Sequence, residues 1–345
     1  MKESLILIIR FALRLVLAFR YRVRLQVVPP IWNPHKPTVL LCNHPAYIDP
    51  VIVYAFLPTK QKIRPLVYYG AFRAPFLSRV FDLIGAIEIV DFTSSKTERE
   101  HNLDQLLLKI TQSLRGEIVL IHPSGRLQRD GREIIGGARV VYELLRLQPD
   151  VQVVMVHSMG LWGSCFSCAE NGTLPDLRRS VAKSLACFLL NYGVFAPKRN
   201  VLIRIGTKQI TEFDLSSRFA LNADLEAWFE NSSEKFPEFV PYFFWGKKTR
   251  IRNANSQVVT ITDVPARVVI EANQYVVNYV GANLGIVINM DGLEANTIIA
   301  SLGLDSLDVA DFESMLEEHL GLTIGSSPKC MEDVWRLFNS PRQAV

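Results

Sequence analysis

Short apolar runs alternate with segments of helical period through the first two hundred residues, and each run closes at a polar or turn-forming residue. Thr38 to Cys42 is apolar after its first residue and closed by Asn43, which reads as a buried strand. Val51 to Leu57 reads as a helix ended by Pro58, and Ile84 to Val90 as the next strand. Leu103 to Leu114 has helical period and stops at Gly116; Glu117 to His122 returns to strand. Arg139 to Leu147 is helical, Val151 to His157 a strand, Leu177 to Asn191 a helix and Val201 to Ile205 a strand. Strands alternating with helices predict an α/β domain whose sheet is mostly parallel and flanked by helices.

The two ends of the chain break this rhythm. Residues 5–19 are apolar except for Arg10 and Arg14, which are four apart and therefore share a helical face. The run is shorter than the ~20 residues of a membrane span. Its charges and the lack of a small-residue cleavage site do not fit a cleaved leader. With Arg20, Arg22 and Arg24 following, residues 1–24 read as an amphipathic helix lying in a membrane interface. The rival reading is a core-packing helix with solvated arginines. Near Phe236 the texture shifts again. The stretch from Pro241 to Arg252 is aromatic and then basic, and Asn253 to Ser256 is polar, as expected of a domain's end and a linker. The aromatics fit a lipid interface or packing of the linker onto the body.

Composition matters here through its distribution. The 345 residues are 49% hydrophobic and 21% charged, ordinary for a folded chain, and the net charge is +4. Residues 266–345 hold 4 Lys/Arg and 11 Asp/Glu, leaving 34 and 23 for the remainder. A basic body with an acidic tail implies two modules. The basic residues flank apolar runs and match no reader motif, so a nucleic-acid partner is not expected. Five scattered cysteines indicate a reducing compartment, and Cys165-x-x-Cys168 has no second pair with zinc spacing, so no metal is expected.

The chemistry-bearing stretch is Asn43-His44-Pro45-Ala46-Tyr47-Ile48-Asp49. It places an imidazole at the carboxyl end of a strand, where open α/β sheets bind ligands. A nearby carboxylate can set its tautomer and raise its basicity. Cys42 lies on the strand, and Ser158 lacks the first glycine of a nucleophile elbow, so His44 is expected to act as a general base on a substrate alcohol. By pattern alone, such a motif is more often a hydrogen-bonded structural histidine than a catalytic one.

Further segments change that balance. His44 to Asp49, Tyr69-Gly70-Ala71-Phe72 with Ile84 to Ile89, Ile121 to Arg126, and Val153 to His157 together resemble the four blocks of the glycerolipid H-x-x-x-x-D acyltransferases, in order and spacing. Gly160 to Ser167 and Ala196 to Val201 look like the lysophospholipid-acylating branch, and the resemblance covers about residues 25–215. It implies direct acyl transfer from an acyl-carrier or acyl-CoA thioester to a lipid hydroxyl. His44 would be the base, Asp49 its orienter, and Gly125 and Arg126 the phosphate-binding residues, with Asn43 and Ser124 beside them as substrate-binding positions. Two departures bear on the acceptor. Asp91 stands where glycerol-phosphate acylating members often carry Arg, and the third block reads Pro123-Ser124-Gly125 where Pro-Glu-Gly is usual. The loss of a cation and gain of an anion at Asp91 favours a lysophospholipid over a free phosphomonoester. The alternatives are a 1-acylglycerol-3-phosphate acyltransferase and a non-catalytic carrier and lipid scaffold.

Ser301 to Leu320 resembles the second helix of acyl carrier proteins, with Asp305-Ser306-Leu307 as the attachment motif. That implies 4'-phosphopantetheine on Ser306, installed by a phosphopantetheinyl transferase, in a small all-α four-helix bundle. The run from Val268 to Ile288 is rich in Val and Asn and is the weakest match to such a bundle. The expected organisation is 1–24 interface helix, 25–245 acyltransferase domain, 246–265 linker and 266–345 carrier-like domain. The expected location is peripheral, on the cytoplasmic face of a membrane such as the bacterial inner membrane.

Overall fold

The computed structural model describes the chain except residues 1, 29–32, 69–74, 90–95, 129–130, 171–173, 231–235, 247–249, 252–263, 305, 323, 325–327 and 341–345. Helix α1 (Lys2–Ala18) leads into β1 (Tyr21–Val28) and β2 (Thr38–Cys42). Then come α2 (Asp49–Phe56), β3 (Ile63–Tyr68), α3 (Pro75–Ile84), β4 (Ile87–Ile89), α4 (Lys96–Ser113), β5 (Ile118–Ile121) and α5 (Val140–Leu147). The domain continues with β6 (Gln152–Met159), α6 (Leu177–Leu190), β7 (Arg199–Lys208) and α7 (Arg218–Glu230). The seven strands lie in the order β1-β7-β6-β2-β5-β3-β4, parallel except where β6 meets β7. This is the mostly parallel, helix-flanked sheet that the alternating pattern predicts.

The alternation of side chains along β2 builds two cores at once. Leu40 and Cys42 face a cluster with Ile52, Val53 and Leu57 of the α2 region. Val39 and Leu41 face the other way, onto Ile110, Leu144 and Leu225 of α4, α5 and α7. A strand buried on both faces has no polar positions, which is why it reads as a continuous run.

Several elements escape the periodicity reading, α3 among them. The basic cluster Arg22 and Arg24 does not extend an interface helix; residues 21–24 begin β1, an edge strand pairing parallel with β7. Charged positions are usual on such an edge, which must not recruit another strand. β3 and α7 also form where no periodic signal was legible. The expected strand at Ile84 to Val90 is shortened to β4, because Ile84 closes α3.

Helix α1 is amphipathic, but its arginines face inward. Arg10 is buried and donates to the carbonyls of Leu57 and Thr59, and Arg14 Nε donates to Ala55 O at 2.6 Å. These carbonyls lie at the end of α2, where a helix has unsatisfied acceptors and a negative partial charge. The rival reading of solvated arginines therefore does not hold. The outward face is apolar: Leu7, Ile8, Phe11, Leu15 and Val16 are all exposed. No helix among the described residues is long and apolar enough to cross a membrane.

Glu238–Phe239 and Arg250–Ile251 form a short antiparallel pair, β8 and β9. The expected linker otherwise lies largely outside the described residues. Beyond it come α8 (Ala266–Leu284), α9 (Ser306–Leu320) and α10 (Met331–Phe338), with 3-10 turns at Met290–Gly292 and Ile299–Leu302. Ala272, Val276, Val280, Phe312, Leu316, Val334 and Trp335 form their shared core. The Val- and Asn-rich run is helical after all. Its Val276 and Val280 are buried, and Asn273 accepts from Trp335 Nε1 at 2.7 Å, so packing outweighs weak propensity.

Candidate active site

Register brings the site together. Leu41 pairs with Ile121, so the chain beyond β2 and the chain beyond β5 leave the sheet side by side. His44 follows the first and His122 the second. Their rings stack at 4.1 Å between centroids, 20° from parallel. Asp49, the first residue of α2, is fully buried; its Oδ2 lies 2.9 Å from His44 Nδ1 and its Oδ1 3.7 Å from His122 Nε2. His122 Nδ1 is held 3.2 Å from the carbonyls of Cys42 and Asn43. One buried carboxylate therefore stands between two imidazoles.

Burial sets the electrostatics. It lowers the pKa of His44, keeping the imidazole neutral and able to accept a proton. Burial pushes the Asp49 carboxyl up, opposed by His122 and the Ala46 amide. His122 is lowered to about 4, first by burial and then by His44. With Nδ1 engaged by Asp49, His44 Nε2 has no partner among the described residues, and the ring keeps a 15% exposed edge. His44, Asp49 and His122 each bring a ligand atom within 4.8 Å of the others, a spacing that a cation would also accept.

The third block closes around this pair. Gly125 adopts φ +64°, the left-handed conformation that glycine takes without strain, and its amide donates to His122 O at 2.9 Å. Ser124 Oγ donates to a carboxylate oxygen of Glu133. The other oxygen of Glu133 accepts from the His44 amide at 2.9 Å and from Gln128 Nε2 at 3.0 Å. Burial raises Glu133 to about 7 against these hydrogen bonds. Thus a carboxylate sits beside Ser124, although the serine replaces the usual glutamate. Arg126 Nη2 donates to Ile134 O at 3.2 Å, and its side chain lines a cleft of about 150 Å³ with Ser124 and Glu133.

The sequence-derived positions fare differently. His44, Asp49, Ser124, Gly125 and Arg126 converge. Asn43, expected to contact substrate, is 1% exposed, with its Nδ2 donating to Ser158 O at 3.0 Å and its Oδ1 accepting from Ser158 N at 2.8 Å. Its amide is consumed in tying β2 to β6, so it positions His44 and does not offer a free group to a ligand. His122 and Glu133 were not among the expected site residues. His122 carried a signal: it ends an apolar strand, as His44 nearly does. Glu133 carried none, since a loop carboxylate nine residues past Ser124 acquires its place only from folding. Asp91 and Tyr69 to Phe72 lie outside the described residues. So does Asp305, and Ser306 is described only as the first residue of α9.

Elsewhere, Cys168 packs with Leu127 and Trp162, and Cys165 contacts Ser180 and Ser184, so the Cys165-x-x-Cys168 pair serves packing and hydrogen bonding. Residues 22–160 match the Acyltransferase family, and residues 274–327 match the phosphopantetheine attachment site family. No curated protein matches the chain. Among solved structures it is similar to the 1-acyl-sn-glycerophosphate (LPA) acyltransferase PlsC from Thermotoga maritima, at 12% identity and a TM-score of 0.41, covering 64% of this chain and 78% of that one. A likeness that loose carries no argument about activity.

Proposed function

From an acyltransferase-family domain joined to a phosphopantetheine-attachment domain, we propose that this enzyme moves a fatty acyl group from a thioester to the hydroxyl of a lysophospholipid at a membrane surface. The donor is an acyl-carrier or acyl-CoA thioester. The observation that carries the reading is the 2.9 Å contact between His44 Nδ1 and a fully buried Asp49, which leaves Nε2 to take a proton.

The acceptor oxygen attacks the thioester carbonyl carbon while its proton passes to His44 Nε2. The C–O bond forms and the C–S bond breaks. The departing thiolate then takes the proton from His44, so the base is regenerated. Asp49 accepts the Nδ1 hydrogen, holds the tautomer and stabilises the imidazolium formed in between. Arg126 and the backbone at Gly125 suit the acceptor's phosphate, since a guanidinium pairs with two oxygens at once. Ser124 is hydrogen-bonded within the same loop. Phosphopantetheine on Ser306, added by a phosphopantetheinyl transferase, would supply a thiol that carries the acyl chain as a thioester.

The membrane reading is supported by an apolar surface that continues past α1. The Phe19 and Phe188 rings meet edge to face at 5.0 Å, joining α1 to the exposed Val181, Leu185 and Leu189 of α6. Phe195, Phe244 and Trp245 are also exposed, with Phe195 6.3 Å from Phe244. Such a surface suits peripheral docking, on the cytoplasmic face of a bacterial inner membrane in this reading.

An acceptor panel with both donor types tests the reading, using His44→Ala as control. Turnover of lysophospholipids that is lost in the variant is expected. Robust use of glycerol 3-phosphate with none of lysophospholipids would overturn the acceptor assignment.

A further inference from the structure

The acidic carrier-type domain does not stand apart from the basic body. Asp308 of α9 lies between two arginines of the acyltransferase domain: Arg139 Nη2 is 2.8 Å from Oδ1, and Arg218 Nη2 is 3.0 Å from Oδ2. The Asp308 side chain is only 11% exposed, so water screens these pairs weakly. Beside Arg218, Phe219 closes against Gly303, where an added methyl would come within 3.1 Å of the ring. The cleft bounded by Ser124, Arg126 and Glu133 is completed from the other side by Val309, Ile299 and Lys329. Ser306 stands one helical turn before Val309.

We infer that the chain's own carrier-type domain is the donor-presenting partner of its acyltransferase site, docked in cis by Asp308 clamped between Arg139 and Arg218, so that α9 opens onto the cleft lined by Glu133, whose carboxylate accepts from the His44 amide. The inference rests on the acyltransferase-with-carrier reading above and adds its partner and geometry. The arrangement fits the attachment group, because the cleft beside the start of α9 carries Arg132 and Lys329, side chains suited to a phosphodiester, and leaves Arg126 to the acceptor's phosphate. Tethering keeps the local concentration of the partner independent of protein concentration, and the opposite charges of the two modules fix its orientation.

The test uses the full chain with a haloacetyl-tipped pantetheine probe placed on Ser306 by a phosphopantetheinyl transferase, followed by peptide mapping of the cross-link. The expected product is an intrachain link from the Ser306 peptide to His44, His122 or the 124–134 segment, unchanged over about a hundredfold dilution. Asp308→Arg should lower its yield about tenfold or more, and adding Arg139→Glu and Arg218→Glu should restore it. Arg139→Gln, a change at a partly exposed position, should give a partial loss should Asp308→Arg fail to fold. Failure of Ser306 to accept the probe, a link that forms only between chains, one that maps elsewhere, or one indifferent to both Asp308→Arg and Arg139→Gln would each overturn the inference. The link does not depend on acceptor turnover. A chain that acylates lysophospholipid from a soluble thioester yet gives no link refutes the cis partner alone. A chain that links but turns over no acceptor with any donor refutes the proposed function alone.

Discussion

Replacing Asp49 with Asn separates chemistry from folding more cleanly than removing His44. The change preserves volume in a site with no exposed surface, so packing around α2 is retained. It removes the charge 2.9 Å from His44 Nδ1 and lets an amide hydrogen turn toward that nitrogen, favouring the wrong tautomer. General-base catalysis contributes about 10²–10⁴ in rate, which is roughly 3–5.5 kcal/mol of barrier. The upper half of that range is expected here, because no water can reach the buried position to replace the carboxylate. Stability should move the other way. Burial raises the Asp49 pKa, so its contribution to stability is present below the unfolded value and lost as pH rises through the folded one. Asp49→Asn should therefore unfold no more easily than the parent at pH 5 and should gain on it at pH 8. The assay pairs kcat on a lysophospholipid with urea unfolding of both proteins at these two pH values. The parent's rate should rise with pH as Asp49 ionises, and the variant should lack that limb. A variant retaining more than about a tenth of the parent's kcat, or one whose loss matches its loss of folded protein, would refute the orienting role.

Other expectations follow from particular contacts. His157 is buried and lowered to about 4 by desolvation and then by Arg204, so the unfolded chain takes up a proton that the folded chain refuses. Stability present above about pH 6.5 is then lost as pH falls toward 4, by about 2 kcal/mol between pH 6.5 and 5 for this group, and His157→Gln should show a correspondingly shallower decline in denaturant titrations. Arg199 is 1% exposed and donates to Gly160 O at 2.7 Å, Gly163 O at 3.0 Å and Glu238 O at 2.7 Å. Arg199→Met should cost about 3 kcal/mol or more in urea unfolding, because three carbonyls, two of them in buried contacts, lose the guanidinium. Substituting Ile8, Phe11 and Val16 together with Ser should weaken sedimentation with anionic liposomes by at least about tenfold while leaving the melting temperature nearly unchanged, since these side chains are more than half exposed. Unchanged liposome binding would remove this face of α1 from the membrane contact.

Much of this was legible in the chain because it is local. β2 appears as an apolar run because both its faces are covered, and the spacing from His44 to Asp49 is short enough for one turn to join them. The four blocks and the Ser306 segment carried the two families by residue type alone, and the matched regions agree. What the sequence left open depends on distant segments. Asn43 looked like a ligand-binding amide until β6 brought the Ser158 backbone to both ends of its side chain. The arginines of α1 share a helical face in the sequence, but only the ending of α2 decides that this face turns inward and the apolar one outward. Glu133 had no signal, because a buried carboxylate is stable there only through Ser124, Gln128 and the His44 amide, which chain folding assembles. The sequence by itself determined the strand-ending histidine, its carboxylate and the division into basic and acidic modules, since these are matters of spacing and composition. The tertiary structure alone decided that Asp49 lies between two imidazoles and that Asp308 lies between Arg139 and Arg218. Pairings between residues 73 to 169 positions apart follow from strand register and domain docking, which no local pattern encodes.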